Sequence, residues 1–175
     1  MTATEQIPGY VAGTWDIDSV HSDIQFTVRH MGVGKSRGRF GSFQGEIVTA
    51  ADPLDSSVTA TIETASVDTG NADRDAHVRN ADFLDVEQFP TATFRSTGVR
   101  KDGEDFVIDG EFTLHGVTKP VSLETELGGF TEDGLLGLSA KVVLNRTDFG
   151  VGQPGGALIG EKVTITLDIE AKLRG

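Results

Sequence analysis

The ten residues from Asn71 to Asn80, NADRDAHVRN, contain two Asp, two Arg and one His. That mixture supports carboxylate–imidazole acid–base chemistry, metal ligation, or cationic recognition of an anionic group. On a helix Asp73 and His77 stand four apart on one face, as do Asp75 and Arg79, and pairs at that spacing more often add a few tenths of a kcal/mol of local support. The four histidines, His21, His30, His77 and His115, show no metal-site spacing such as H-E-x-x-H, and the chain has no Cys. Thiol nucleophiles, disulfides and Cys-bound metals are therefore excluded, and no metal is expected. Ser, His and Asp are all available for a hydrolase, but the G-x-S-x-G turn that exposes a nucleophile is missing. No catalytic residue is assigned.

Other short patterns dissolve in their context. Gly34-Lys35-Ser36 copies the end of a phosphate-binding loop, yet Arg29 stands where that pattern needs Gly, and the residues that follow read as a strand. A hairpin with solvated Lys35, Arg37 and Arg39 is the simpler reading. Asp148-Phe149-Gly150 matches a kinase tripeptide without any other kinase element. Asn145-Arg146-Thr147 has the form of a glycosylation acceptor, which has meaning only in a secreted chain.

The chain has 175 residues, enough for one domain with a substantial core. With 15 Lys and Arg against 27 Asp and Glu, the net charge is −12, which repels a phosphate backbone and makes nucleic acid an unexpected partner. The first residues show no basic stretch followed by an apolar one, so they read as a tail over 1–12 on a cytoplasmic protein, ahead of a domain over 13–175. No apolar run is long enough for a membrane-spanning helix.

Period-two alternation dominates the rest. Val163, Ile165, Leu167, Ile169, Ala171 and Leu173 alternate with polar residues, as do Ile24, Phe26 and Val28, and Val58, Ala60 and Ile62. Phe112 and Leu114 share a face with Ile108, and Leu138, Ala140, Val142 and Leu144 form another such series. Half-buried antiparallel strands have this pattern. Asp102-Gly103 and Asp133-Gly134 lie between runs as hairpin turns. Only the segment from about Asn71 to Leu84 reads as a helix, with Thr69 or Asn71 as cap and Asp73 and Asp75 in the first turn. The expected fold is all-β, an antiparallel barrel of about eight strands with one short helical segment near 71–84.

The series WDIDSVHS from Trp15, FTVRH from Phe26, GRFGSFQG from Gly38, DTGNADRDAH from Asp68, DFLDVEQFP from Asp82, FTLHGVTKP from Phe112 and RTDFG from Arg146 closely resembles the YceI-like family. The resemblance implies a lipocalin-like barrel that holds a long polyisoprenoid, quinone-type or similar amphipathic lipid for carriage, storage or sequestration. It brings no agreed catalytic residues. The expected apolar lining is Phe26, Val28, Phe40, Ile62, Phe83, Leu84, Phe94, Phe112, Leu114, Leu138, Val142, Leu167 and Ile169, with Ala60, Gly110 and Ala140 leaving room between the rings. Arg74, His77 and Arg79 are the candidates for a lipid head group, on a flap whose Phe83 and Leu84 turn toward the lipid. Two alternatives stand beside this: a lipid-directed hydrolase or isomerase using His and Asp of 71–80, and a barrel filled by its own side chains with a surface interaction role. A homodimer is compatible with either.

Overall fold

The computed structural model describes residues 7–30, 33–152 and 159–174. Eleven strands among these form one antiparallel sheet: β1 (Gly13–Ile17), β2 (Asp23–His30), β3 (Gly34–Phe40), β4 (Phe43–Thr49), β5 (Ser57–Glu63), β6 (Val67–Asp68), β7 (Thr91–Asp102), β8 (Asp105–Leu114), β9 (Val117–Phe130), β10 (Leu135–Asn145) and β11 (Ile159–Leu173). Among the described residues one α-helix, α1, covers Ala72–Arg79.

The register shows that the first six strands are three long strands, each broken by a corner. Trp15 to Ile17 of β1 face Leu173 to Ala171 of β11, and Ile24 to Val28 of β2 face Leu167 to Val163 of the same strand. β3 and β4 likewise run on from one another, opposite β2 and β1. β5 and β6 then line up along β4 and β3. With β7 to β11 these three make eight staves, closed where β11 meets β1 and β2. An eight-stranded barrel is just wide enough to hold its own side chains or one slender ligand.

A backbone hydrogen bond ties each corner to a neighbouring segment. Asp18 N–H donates to Glu170 O at 2.8 Å, Gly41 N–H to Ser66 O at 3.2 Å, and Thr64 N–H to Pro90 O at 3.0 Å. Beside the first corner, the Asp18 carboxylate accepts from Val20 N–H at 3.0 Å and from the His21 ring at 2.8 Å, with Lys172 Nζ 3.3 Å away. The hydrogen bond from His21 chiefly holds the Asp18 pKa down at about 2, and the same bond raises that of His21.

One end of the barrel is plugged. Trp15, Ile47, Leu136 and Ala171 are buried together, with Leu127 and Phe130 against them. The Trp15 ring is almost fully enclosed, so its N–H needs a partner, and it donates to Thr49 Oγ1 at 2.8 Å. In the wall, rings lie flat over cross-strand glycines. A Cβ on Gly38 would sit 2.3 Å from the Phe26 ring, and one on Gly110 would sit 2.5 Å from the Phe94 ring and 2.7 Å from Arg95 O. The space expected beside Gly110 is therefore occupied by Phe94, whereas Ala60 and Ala140 do face the hollow.

The helix is shorter than the sequence pattern suggests. Asn71 caps it by accepting from Arg74 N–H at 2.9 Å, but Asn80 at its end is extended and binds Asp82 N–H through its side chain. Residues 80–89 then form successive turns, including Leu84 N–H to Val78 O at 2.9 Å and Phe89 N–H to Asp85 O at 2.8 Å. These turns aim Phe83 and Leu84 downward, which a continuing helix would not do.

This geometry sets a packing outcome and a pH dependence. Gly110→Ala forces its Cβ against a ring and a carbonyl, so chemical denaturation should show a loss of about 1–3 kcal/mol. At the first corner, the raised His21 pKa means that its contribution is complete below its ordinary value near 6.5 and disappears as pH rises through the higher folded value. The stability advantage of wild type over His21→Gln should thus be greater at about pH 5.5 than at about pH 9. The Asp18 contribution runs the other way, present above about pH 4 and lost toward pH 2.

Candidate functional site

Inside the staves lies a cavity of about 930 Å³. The Trp15 cluster closes it below, and above it reaches α1 and the turns that follow. All thirteen apolar residues named from sequence, Phe26, Val28, Phe40, Ile62, Phe83, Leu84, Phe94, Phe112, Leu114, Leu138, Val142, Leu167 and Ile169, lie on its wall. For the eleven on strands the reason is the pleat, since residues two apart on a closed sheet face the same way, while Phe83 and Leu84 reach the wall from the turns after α1. The interior is hollow, so a barrel filled by its own side chains does not describe this chain.

Polar groups gather at the α1 end. Thr69, Asp73, Arg74, His77 and Asp82 form part of the wall there. Arg74 donates through Nε to Thr69 Oγ1 at 2.9 Å and through Nη2 to Thr69 O at 2.7 Å, which fixes its guanidinium at the rim. His77 Nε2 is 3.2 Å from Asp82 Oδ2, and its ring meets Phe83 edge-on at 5.0 Å. Both members of that pair are more than half exposed. Arg79, the third head-group candidate, lies off the cavity wall: Nε donates to Ala65 O at 2.9 Å and Nη2 to Val67 O at 3.1 Å. It ties the end of α1 to the corner between β5 and β6.

The helical pairing read from the sequence is also rearranged. Asp75 is buried, and its carboxylate turns inward to accept from Thr69 N–H and Thr69 Oγ1. The hydroxyl bond is the main reason its pKa is lowered. His77 pairs with Asp82 rather than with Asp73. Asp75 therefore anchors the flap and is not a free acid or base.

Sequence reasoning did not single out Arg146. Its side chain is 6 % exposed and lines the cavity, donating to Gly160 O at 3.0 Å, Val151 O at 2.8 Å and Ile159 O at 3.1 Å. The signal was present in the pleat: after Leu138, Ala140, Val142 and Leu144, position 146 continues the inward series. A 3₁₀ turn over Arg146–Phe149 follows, ending at Gly150 with φ 71°. It brings Phe149 onto Phe112, ring centroids 5.6 Å apart, where β9 and β10 separate beyond their Glu124–Lys141 pairing. At that separation an outer recess of about 800 Å³ shares Val121, Val142, Leu144 and Phe149 with the cavity wall.

Among the described residues, Asp18, His21 and Glu170 form a group with ligand atoms within 4.8 Å of one another. The Lys172 ammonium already lies 3.3 Å from Asp18, where a metal cation would be repelled. No helix among the described residues is long and apolar enough to cross a membrane.

Comparison with known proteins agrees with this architecture. Protein YceI of Escherichia coli is 44% identical over 126 residues, which cover 70% of this chain and 66% of that relative, just under two thirds of its length. Burkholderia cenocepacia BcnA superposes with a TM-score of 0.82 at 22% identity, covering 89% of this chain and 99% of BcnA. A polyisoprenoid binding domain from Saccharophagus degradans gives 0.74 at 16% identity, covering 94% and 100% of the two chains. These two likenesses bear on the fold. The Campylobacter jejuni YCEI protein gives 0.75 at 26% identity, covering 84% and 90%. The model of the YceI-like domain matches residues 15–171, and with the barrel, its hollow and the flap in place, the chain belongs to the YceI-like family.

Proposed function

We propose that the chain binds a long-chain polyisoprenoid or quinone-type amphiphile, its tail inside the barrel and its polar end at the α1 rim, for carriage, storage or sequestration. The observation that carries this reading is the apolar cavity of about 930 Å³, closed at the Trp15 end and polar at the other. An apolar wall facing an unfilled hollow loses dispersion contacts, and a matching apolar chain restores them. Water is a poor filler, since the wall offers it few partners. An apolar chain fills the space and gains about 0.8 kcal/mol for each buried CH₂, so each five-carbon prenyl unit contributes a few kcal/mol before ordering costs.

Arg74 is the cation placed to meet a phosphate or other anionic head group, because it stands on the cavity wall with its guanidinium held by Thr69. Arg79 serves the flap instead. The catalytic alternative has less support: the His77–Asp82 pair is open to solvent, and water-exposed charges do little to stabilise a transition state.

Mass spectrometry of an organic extract of the purified protein should find a long-chain amphiphile in near-stoichiometric amount. Lipid-free extracts together with no uptake of added prenyl phosphate, prenol or quinone would remove the carrier reading. In a binding assay with matched ligands, Arg74→Ala should weaken a prenyl phosphate by about tenfold and the corresponding prenol hardly at all. Phe83→Ala should weaken both by about tenfold. Equal losses for the two ligands in Arg74→Ala would rule out its head-group role.

A further inference from the structure

The hairpin of β2 and β3 carries a charge pattern that the cavity does not use. No Asp or Glu occurs between Asp23 and Glu46, in a chain that otherwise holds 27 of them, and this span contains Arg29, Lys35, Arg37 and Arg39. The pleat turns Phe26, Val28, Ser36 and Phe40 to the cavity and the four cations to the outside, where all four are exposed. Arg29 lies directly opposite Lys35 across the ladder, a like-charge pairing that works against folding. Arg39 has Asp23 at 4.0 Å and Asp68 opposite it in β6, but Arg29, Lys35 and Arg37 have no ion pair among the described residues. Exposed Lys162 extends the row on β11, beside the Val28–Val163 pairing. At the top of the hairpin, next to these cations, Val33 is 91 % exposed.

We infer that this outer face of the β2–β3 hairpin docks on an anionic lipid surface, with Val33 inserted among the head groups. Charge complementarity singles out the partner. A row of uncompensated cations beside a bare apolar side chain suits a bilayer, which offers both anionic head groups and an apolar layer, whereas nucleic acid offers only the first. The −12 net charge does not prevent this, because surface potentials fall off within about 10 Å at 0.1 M salt and the hairpin reaches the surface first. Val33 and the α1 rim lie at the same end of the staves, so docking brings the cavity mouth to the membrane.

Cosedimentation of the full chain, stripped of lipid, with vesicles of phosphatidylcholine alone or with one third phosphatidylglycerol tests this. Neither vesicle contains a prenyl chain, so the result is independent of what the cavity binds. Binding should be confined to the anionic vesicles and should fall with added salt. Each cation near such a surface is worth about fivefold, so Lys35→Ala/Arg37→Ala should lower partitioning by about 25-fold and Arg29→Gln by about fivefold. Val33→Ser should weaken binding while leaving its salt dependence unchanged. The thermal midpoints of the charge variants should equal or exceed wild type, since the repulsion between Arg29 and Lys35 is removed. Equal binding to both vesicle types, no binding to either, wild-type partitioning by the charge variants, or equally tight binding of duplex DNA through the same residues would each overturn the inference.

Discussion

Everything in this molecule depends on β11 lending one edge to two strands. Its last residues pair with β1 and those from Val163 to Asp168, with Ile159, pair with β2, so the closing seam of the barrel is formed by a strand that bends between Ile17 and Asp23. A closed sheet has no free edge, and closure is what makes the pleat sort the side chains into an inner and an outer set. The Asp18–His21–Lys172 cluster and the Ser22–Glu170 hydrogen bonds sit at that bend, where the backbone leaves one register and enters the next. Without the seam there would be no inner set, and the apolar residues would line no hollow.

Eight staves can be packed solid, and the chain uses two means to avoid this. Its packing is gathered into clusters: the Trp15 cluster fills the lower end, Val67, Leu84, Phe149 and Val151 pack beneath the flap, and Phe94, Ile108, Leu123 and Ala140 pack along the wall between them. Between them Phe26 and Phe94 lie flat on Gly38 and Gly110, holding their rings against the wall. Large side chains pressed against the wall leave a long hollow, whereas the same side chains pointing across it would fill the barrel. The glycines permit this by lacking a Cβ, not by contributing empty space.

The polar residues of the flap divide by what they touch. Asp75 and Arg79 bind backbone and hydroxyl groups of the chain itself and hold α1 in position, while Arg74 and His77 stand at the cavity mouth. Buried polar groups must find partners, so the flap's orientation follows from which carbonyls and hydroxyls lie within reach. Arg146 follows the same rule across the barrel, joining Val151, Ile159 and Gly160 where β10 leads toward β11.

Much of this was legible in the residues alone. Alternation of apolar and polar side chains at Ile24–Val28, Leu138–Leu144 and Val163–Leu173 determined the strands and which residues face inward, because the pleat has a period of two and closure preserves it. The acidic balance and the absence of Cys are likewise sequence properties, and they bounded the chemistry. Local pattern could not specify what depends on distant partners. Whether α1 would continue past Arg79 depended on Asn80 and the turns behind it, and whether Asp75 would pair with Arg79 or turn to Thr69 depended on where the sheet placed Thr69. Arg146 is the plainest case. Its inward register was written in the chain, but its burial is sustained by carbonyls of Val151, turned back by the 3₁₀ turn, and of Ile159 and Gly160, which the pairing of β10 with β11 brings alongside. The hollow too belongs to the tertiary structure, since a ring lying on a glycine across a strand is a relation between residues such as Phe94 and Gly110, 16 positions apart in the chain.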